Sequence, residues 1–373
     1  MGKKVILKDV ATLLNGRAYK QDQLLDSGKY PVLRVGNFFS NRGWFYSDLE
    51  LEDEKYCDNG DLLFAWSASF GPKIWDGGKV IFHYHIWKIL TTPQIDKKYF
   101  YYFLENAADR IKESGHGIAM IHTTKSEMEQ MELLLPEMEQ QLQIATVLDK
   151  VSELIELRKE QLAKLDELVK AQFVEMFGDP ISNPMDWNID CAENHIDLLS
   201  GFPFDSSEYT EYGVNICGGL IILPQRIVWD ECKHWKSTEG YEQYTLCKND
   251  IVMALDRPWI SEGFKIAMVD EEHLPALLIQ RTARIRAIDM NQLYLMHCFL
   301  LGGFEQHCNV TGSLVPHISA KDIRSFKLML PPLELQTQFA TFVEQTNKTK
   351  LTIQSSLDKL EVMKKALMQE YFG

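Results

Sequence analysis

One stretch occurs twice in this chain, and that duplication restricts the fold more than any local propensity does. Leu133–Gly178 and Leu328–Gly373 align without a gap at a constant spacing. Pro136/Pro331, Glu139/Glu334, Gln141/Gln336, Gln143/Gln338 and Ala145/Ala340 match at the start. Leu162/Leu357, Lys164/Lys359 and Leu165/Leu360 match in the middle, and Lys170/Lys365, Ala171/Ala366, Glu175/Glu370, Phe177/Phe372 and Gly178/Gly373 at the end. In the first copy Ile144, Leu148, Val151, Ile155, Leu162, Leu165, Val169 and Met176 keep a heptad rhythm that Arg158 and Gln172 interrupt. In the second, Phe339, Val343, Ile353, Leu357, Leu360 and Leu367 keep it, interrupted by Thr346, Lys350 and Lys364. Sustained apolar heptads call for helix pairing. The pattern predicts helices over Leu142–Phe177 and Thr337–Phe372, each roughly 50 Å long at about 1.5 Å per residue. Two equal copies favour pairing with each other, antiparallel, with a globule at each end about a pseudo-two-fold axis. The competing arrangement packs each helix on its own globule.

A globular segment precedes each helix. The expected division is 1–136 (first globule), 137–178 (first helix), 179–331 (second globule) and 332–373 (second helix). In the first globule, Lys8–Tyr19 has a short helical pattern with Val10, Leu13 and Leu14 on one face, closed by Asn15-Gly16. Tyr30–Phe38 alternates like a strand. Asp58-Asn59-Gly60 is a turn before a buried strand ending near Trp66. Ser67–Trp75 reads as a loop, Val80–Leu90 as a strand and Tyr99–Lys112 as an amphipathic helix. The second globule repeats this more loosely. Gly201 matches Gly16, Asp250 matches Asp61, Leu278–Arg286 matches Phe82–Leu90, Tyr294 matches Tyr99 and His317 matches His122. Asp256-Arg257-Pro258-Trp259 replaces the loop that begins at Ser67. A shared frame with divergent loops suits two copies that bind different things.

The apolar runs are far too short to span a bilayer, and the amino terminus lacks the apolar stretch of a signal peptide. Seven cysteines are scattered without a CxxC pair, and Cys57 and Cys247 sit at similar places, as a shared buried thiol would. A reducing cytoplasm is expected. The formal net charge of −14 counts against a nucleic-acid binder. Its distribution softens that objection. Residues 1–136 hold 17 basic and 18 acidic side chains, whereas 179–331 hold 12 and 21. An acidic chain also suits a subunit whose partner supplies most phosphate contacts. Arg34, Asn37, Trp66, Ser67, Ser69, Lys73 and Trp75 have side-chain types that read base edges and phosphates. Against this, tryptophans are commonly core and a loop lysine is commonly only solvated. His83 and His85 share one strand face like a metal pair, but no third ligand stands at suitable spacing. No Gly-rich phosphate loop appears. Asn183-Pro184-Met185-Asp186 only mimics an adenine-methylation motif and lacks its aromatic. Glu262 and Lys265 have the wrong spacing for a nuclease pair. His116, His122 and His317 lack a nucleophile partner. The chain therefore reads as a non-enzyme.

The Leu-Pro helix start (Leu135-Pro136, Leu330-Pro331), the long heptad helices, the Phe177-Gly178-Asp179-Pro180 exit, the Gly60-Asp61-Leu62 turn (less well Asn249-Asp250-Ile251) and the twofold layout resemble the specificity subunit of a Type I restriction–modification system. The resemblance implies an α+β fold: two pseudo-symmetric mixed α/β target recognition domains separated by two long helices that pair as an antiparallel coiled coil. It implies that each globule reads one half of a split sequence in double-stranded DNA. The helices would set the gap and dock methyltransferase subunits, two of them, with restriction subunits joining. S-adenosylmethionine, ATP and Mg would be held by those partners and none by this chain, and no membrane would be involved. DNA contacts are then expected at Arg34, Asn37, Ser67, Ser69 and Lys73 in the first globule and at Arg257, Trp259, Gln280, Arg281 and Ser313 in the second. The coiled-coil seam is expected at Leu148, Ile155, Leu162, Leu165, Val169, Ile353, Leu357, Leu360 and Leu367. The alternative is a coiled-coil scaffold whose globules bind protein without reading DNA sequence; a third class is an enzyme with an unrecognised site.

Overall fold

A computed structural model of the protein describes residues 2–40, 43–67, 70–114, 123–308 and 317–373. It divides into two units, Met1–Glu160 with Gln354–Gly373, and Gln161–Ile353. Two helices of 40 residues, Met138–Phe177 and Leu333–Phe372, contribute to both. Each starts four residues earlier than the heptads predict, because nothing after Pro136 or Pro332 opposes helix and Pro is tolerated at a first turn. Each is therefore about 60 Å long. Gly178 closes the first helix in a left-handed conformation (φ 77°), its N–H donating to Val174 O at 2.8 Å, as an αL cap does.

In the first unit Ile144, Leu148, Val151 and Ile155 of one helix are buried, as are Leu357 and Met368 of the other. Lys159 Nζ lies 4.0 Å from Glu361 Oε1. In the second unit Phe173 meets Phe339 with ring centroids 5.4 Å apart, and Lys350 pairs with Asp166. In each unit, residues later in one helix face residues earlier in the other, so the pairing is antiparallel. The interrupting polar positions find partners there. Lys364 pairs with Glu105 at 2.9 Å, and Thr346 Oγ1 donates to Phe342 O at 2.9 Å.

The first unit is built on a four-stranded antiparallel sheet in the order Ala11–Asn15, Ile86–Thr91, Leu62–Ala65, Gly71–Ile74. Leu62–Ala65 is buried along its whole length. Leu62 and Phe64 enter a cluster with the helix Lys97–Ser114, while Leu63 and Ala65 enter a second cluster with Val80 and Phe82. Burial on both faces explains an apolar run without alternation. A second sheet orders Phe45–Ser47, Tyr30–Leu33, Val80–Phe82 and Tyr56–Cys57, with a parallel pair in its middle. The second unit repeats the plan: Ile196–Ser200, Thr282–Ala287, Ile251–Ala254 and Ile266–Met268, beside Lys233–Trp235, Val214–Cys217 and Ala276–Leu278.

Equivalent side chains perform the same work in both. Buried Gln141 donates to Pro136 O (2.8 Å) and accepts from Asp96 N (2.8 Å); buried Gln336 donates to Pro331 O (2.8 Å) and accepts from Asn291 N (2.8 Å). Tyr99 donates to Leu134 O and Tyr294 to Met329 O. Asp61 accepts from Asp58 N and pairs with Lys88, while Asp250 accepts from Cys247 N and pairs with Arg286.

Five local expectations need correction, the first being Val80–Leu90, which is two strands, Val80–Phe82 and Ile86–Thr91, and not one. Only Leu7–Val10 of the Lys8–Tyr19 region is helical; Ala11–Asn15 is a strand, because its ladder with Trp87–Thr91 outweighs a single helical turn. Tyr30–Phe38 is a strand only to Leu33 and then turns helical at Val35–Phe38. The loop expected over Ser67–Trp75 contains the strand Gly71–Ile74. Cys57 is buried but Cys247 is exposed, and the buried thiol's counterpart is Leu246.

Candidate nucleic-acid interface

Val80–Leu90 and its counterpart are each broken by a turn, His83–His85 in the first unit and Ile279–Arg281 in the second. Both turns sit at the same end of the four-stranded sheet. Gly16 N donates to Ile86 O and Arg17 N to Phe82 O; Gly201 N donates to Thr282 O and Phe202 N to Leu278 O. The glycines allow this approach. A Cβ on Gly16 would lie 2.3 Å from His83 O, and one on Gly201 would lie 2.0 Å from Ile279 O. The chain following the helix also returns to this end. Thr123 N donates to Trp66 O, and Ile318 N to Leu255 O.

In the first unit this end is aromatic. Tyr84 is exposed, its ring centroid 3.9 Å from that of His85 and 4.4 Å from that of His83. Trp66 meets His85 edge-on at 4.9 Å, stacks on Trp87 at 5.8 Å and donates from Nε1 to Tyr84 O at 2.9 Å. Burial pushes the His83 imidazole down to about 4 and lowers that of His85. Both rings are therefore neutral near pH 7. A cavity of about 510 Å³ opens beside them, walled by Arg34, whose guanidinium lies 4.9 Å from the Phe45 ring centroid.

In the second unit the same end is charged. Asp256 accepts from His317 Nδ1 at 2.7 Å and lies 3.5 Å from the Arg281 guanidinium. Arg257 is exposed and left-handed (φ 46°), and Arg281 is also left-handed (φ 70°). Lys265 is buried beside them, its amine donating to Gly219 O, and burial lowers its pKa.

Arg34, Ser67, Arg257, Gln280 and Arg281 thus gather at these sheet ends. Ser67 is buried there and Gln280 exposed. Three other expected residues engage their neighbours. Asn37 Nδ2 donates to Gly43 O, Lys73 pairs with Asp76 at 3.3 Å and lies over the Trp75 ring, and Trp259 stacks on Phe264 at 5.1 Å. Trp75 itself is core. Ser69 and Ser313, with His116 and His122, fall outside the described residues. The turn His83–His85 is not among the expected contacts, because the residues read as part of one continuous strand, Val80–Leu90, with two histidines and no third metal ligand. The match of Phe82–Leu90 to Leu278–Arg286, which aligns it with Gln280 and Arg281, was the signal that could have found it. Among the described residues no group of three His, Cys, Asp or Glu could hold a metal, and no helix is long and apolar enough to cross a membrane.

The family model for the Type I restriction modification DNA specificity domain matches residues 3–167 and 226–362. The chain belongs to this family. It is 25% identical over 334 residues to the Type I restriction enzyme MjaVIII specificity subunit of Methanocaldococcus jannaschii, covering 84% of this chain and 79% of that one. It is 26% identical over 213 residues to the EcoAI specificity subunit of Escherichia coli, covering 53% of this chain and 36% of that one. The fold matches a Type-I restriction-modification S subunit from M. genitalium with a TM-score of 0.61 at 16% identity, across 100% of this chain and 96% of that one. A chain solved for complex assembly and conformational transition of the type I R-M system matches with a TM-score of 0.56 at 15% identity, across 100% and 97%. The two matched segments include the turns His83–His85 and Ile279–Arg281, and the specificity-subunit assignment replaces the scaffold alternative.

Proposed function

We propose that this specificity subunit reads a split DNA target, one half through residues 1–136 and the other through 179–331. The long helices, 137–178 and 332–373, set the gap and dock two methyltransferase subunits. One observation carries this reading. Paired residues hold two copies of one backbone frame, and the side chains at the same end of each frame differ in chemistry. Two recognition units on a fixed spacer define half-site separation geometrically. The chain contributes recognition and no catalysis. Methylation with S-adenosylmethionine, which requires extrusion of the adenine, and cleavage with ATP and Mg belong to methyltransferase and restriction partners in the cytoplasm. Arg34, Asn37, Ser67, Ser69, Lys73, Arg257, Trp259, Gln280, Arg281 and Ser313 remain the proposed DNA contacts. Mapping methylated adenines in cells that express the chain with its methyltransferase tests the reading. The expected result is one bipartite motif with a constant gap; methylation without such a motif refutes it.

A further inference from the structure

The two turns at the sheet ends are held by the same set of backbone bonds. His83 N donates to Leu33 O (2.9 Å) and Tyr84 N to Arg17 O (3.0 Å). Their counterparts are Ile279 N to Cys217 O (3.2 Å) and Gln280 N to Phe202 O (2.8 Å). Each acceptor lies on an equivalent element, since Leu33 pairs in parallel with Phe82 and Cys217 with Leu278. Within this common frame the three side chains share nothing: His, Tyr, His against Ile, Gln, Arg. A rigid backbone carrying unrelated side chains is how a scaffold changes what it recognises without changing its fold.

We infer that the turns His83–His85 and Ile279–Arg281 are paired specificity determinants, each presenting side chains to the base edges of one half-site. This deepens the proposed function and rests on it. The two turns read by different chemistry. The first offers a phenol and two imidazoles on an aromatic base formed by Trp66 and Trp87. Burial keeps the imidazoles uncharged, so they select by hydrogen-bond pattern and ring contact rather than by attraction to phosphate. The second offers a primary amide and a guanidinium, the groups that pair bidentately with the major-groove edges of adenine and guanine. Asp256, which also accepts from His317, lies 3.5 Å from the Arg281 guanidinium and draws it toward this side of the turn. The ligand of the second turn is accordingly a purine-bearing half-site in duplex DNA.

Tyr84 and Gln280 are exposed, so their replacement removes side-chain chemistry while the backbone bonds of the turn remain. The test uses the whole chain, co-expressed with its methyltransferase subunits, as Tyr84→Ala and as Gln280→Ala. Methylated sites are sequenced, and binding is titrated against duplexes altered in one half. Tyr84→Ala should relax one or two base positions of one half-site by roughly five- to 150-fold, the discrimination carried by one good base contact. The other half-site and the gap should be unchanged. Gln280→Ala should do the converse in the opposite half-site. If both variants methylate the wild-type motif with undiminished preference, the turns are not the determinants, and the bipartite motif itself leaves the proposed function intact. Equal relaxation of both half-sites by either variant also overturns the inference. A wild-type complex that yields no bipartite motif refutes the proposed function directly, before either variant is considered.

Discussion

Replacing Asp250 by Ala tests how far burial sets the strength of the turn that joins the two sheets in each unit. Asp250 is 3% exposed and binds Arg286 through both carboxylate oxygens, at 2.5 and 2.8 Å, while also accepting from Cys247 N at 2.7 Å. Removing one partner of a buried pair costs about 3–5 kcal/mol. The Arg286 side chain is 34% exposed and regains water, which places the charge loss near about 2–3 kcal/mol. The orphaned Cys247 N–H adds about 1 kcal/mol. Asp250→Ala should therefore lose about 3–4 kcal/mol, and Asp250→Asn, which keeps an acceptor for Cys247, about 2 kcal/mol. Asp61 supplies an internal comparison. Its side chain is 25% exposed, and Lys88 keeps a bond to Tyr56 O at 3.1 Å when the carboxylate is removed. Asp61→Ala, which orphans the Asp58 N–H and leaves a Lys88 side chain only 16% exposed, should lose about 2–3 kcal/mol, less than Asp250→Ala because the carboxylate removed is itself partly hydrated. The two units need not unfold together, so native-state hydrogen exchange at the Ile251–Ala254 and Leu62–Ala65 amides is the appropriate assay. Equal losses for Asp61→Ala and Asp250→Ala would sink the burial argument.

Two further outcomes follow from the same geometry. Gly16→Ala and Gly201→Ala each drive a methyl group onto a backbone carbonyl, so each should destabilise its own unit by about 1–3 kcal/mol, seen as faster native-state hydrogen exchange at Leu62–Ala65 or Ile251–Ala254 respectively; unchanged exchange means the turn can retreat freely. His297, 4% exposed, donates from Nδ1 to Leu293 O at 2.8 Å and lies edge-on to Phe339, and burial depresses its pKa from 6.5 to about 4. Between those values the unfolded chain takes up a proton that the folded chain refuses. Stability should fall by about 3 kcal/mol as pH drops through that window, and His297→Leu should remove this component; identical pH profiles for variant and wild type would rule it out.

The features legible in the sequence were those that impose a side chain at a set spacing. Gln141/Gln336, Tyr99/Tyr294 and Asp61/Asp250 each perform one geometric task, so both copies keep the same residue, whereas the heptad seam keeps its spacing and changes residues, as at Leu148/Val343 and Val169/Lys364. Non-local pairing was not legible. Val10, Leu13 and Leu14 fit one face of a helix, yet Ala11 and Leu13 also fit the alternation of a strand, and only the ladder with Trp87–Thr91 decides between them. Cys247 shows the same limit, since a one-residue displacement from Leu246 separates a buried place from an exposed one. At the candidate site, Gln280 and Arg281 were visible as polar residues interrupting an apolar strand. His83 and His85 offered two histidines on one strand face with no third ligand, and the sequence alone does not show that they stand on a turn at the sheet end. Gly16 and Gly201 hold the missing information. No side chain fits where they approach the turns, which makes the backbone there common to both units. The turn side chains meet no such constraint, so their identities follow what each unit has to recognise, and the reading chemistry belongs where the two copies agree in backbone and differ in everything attached to it.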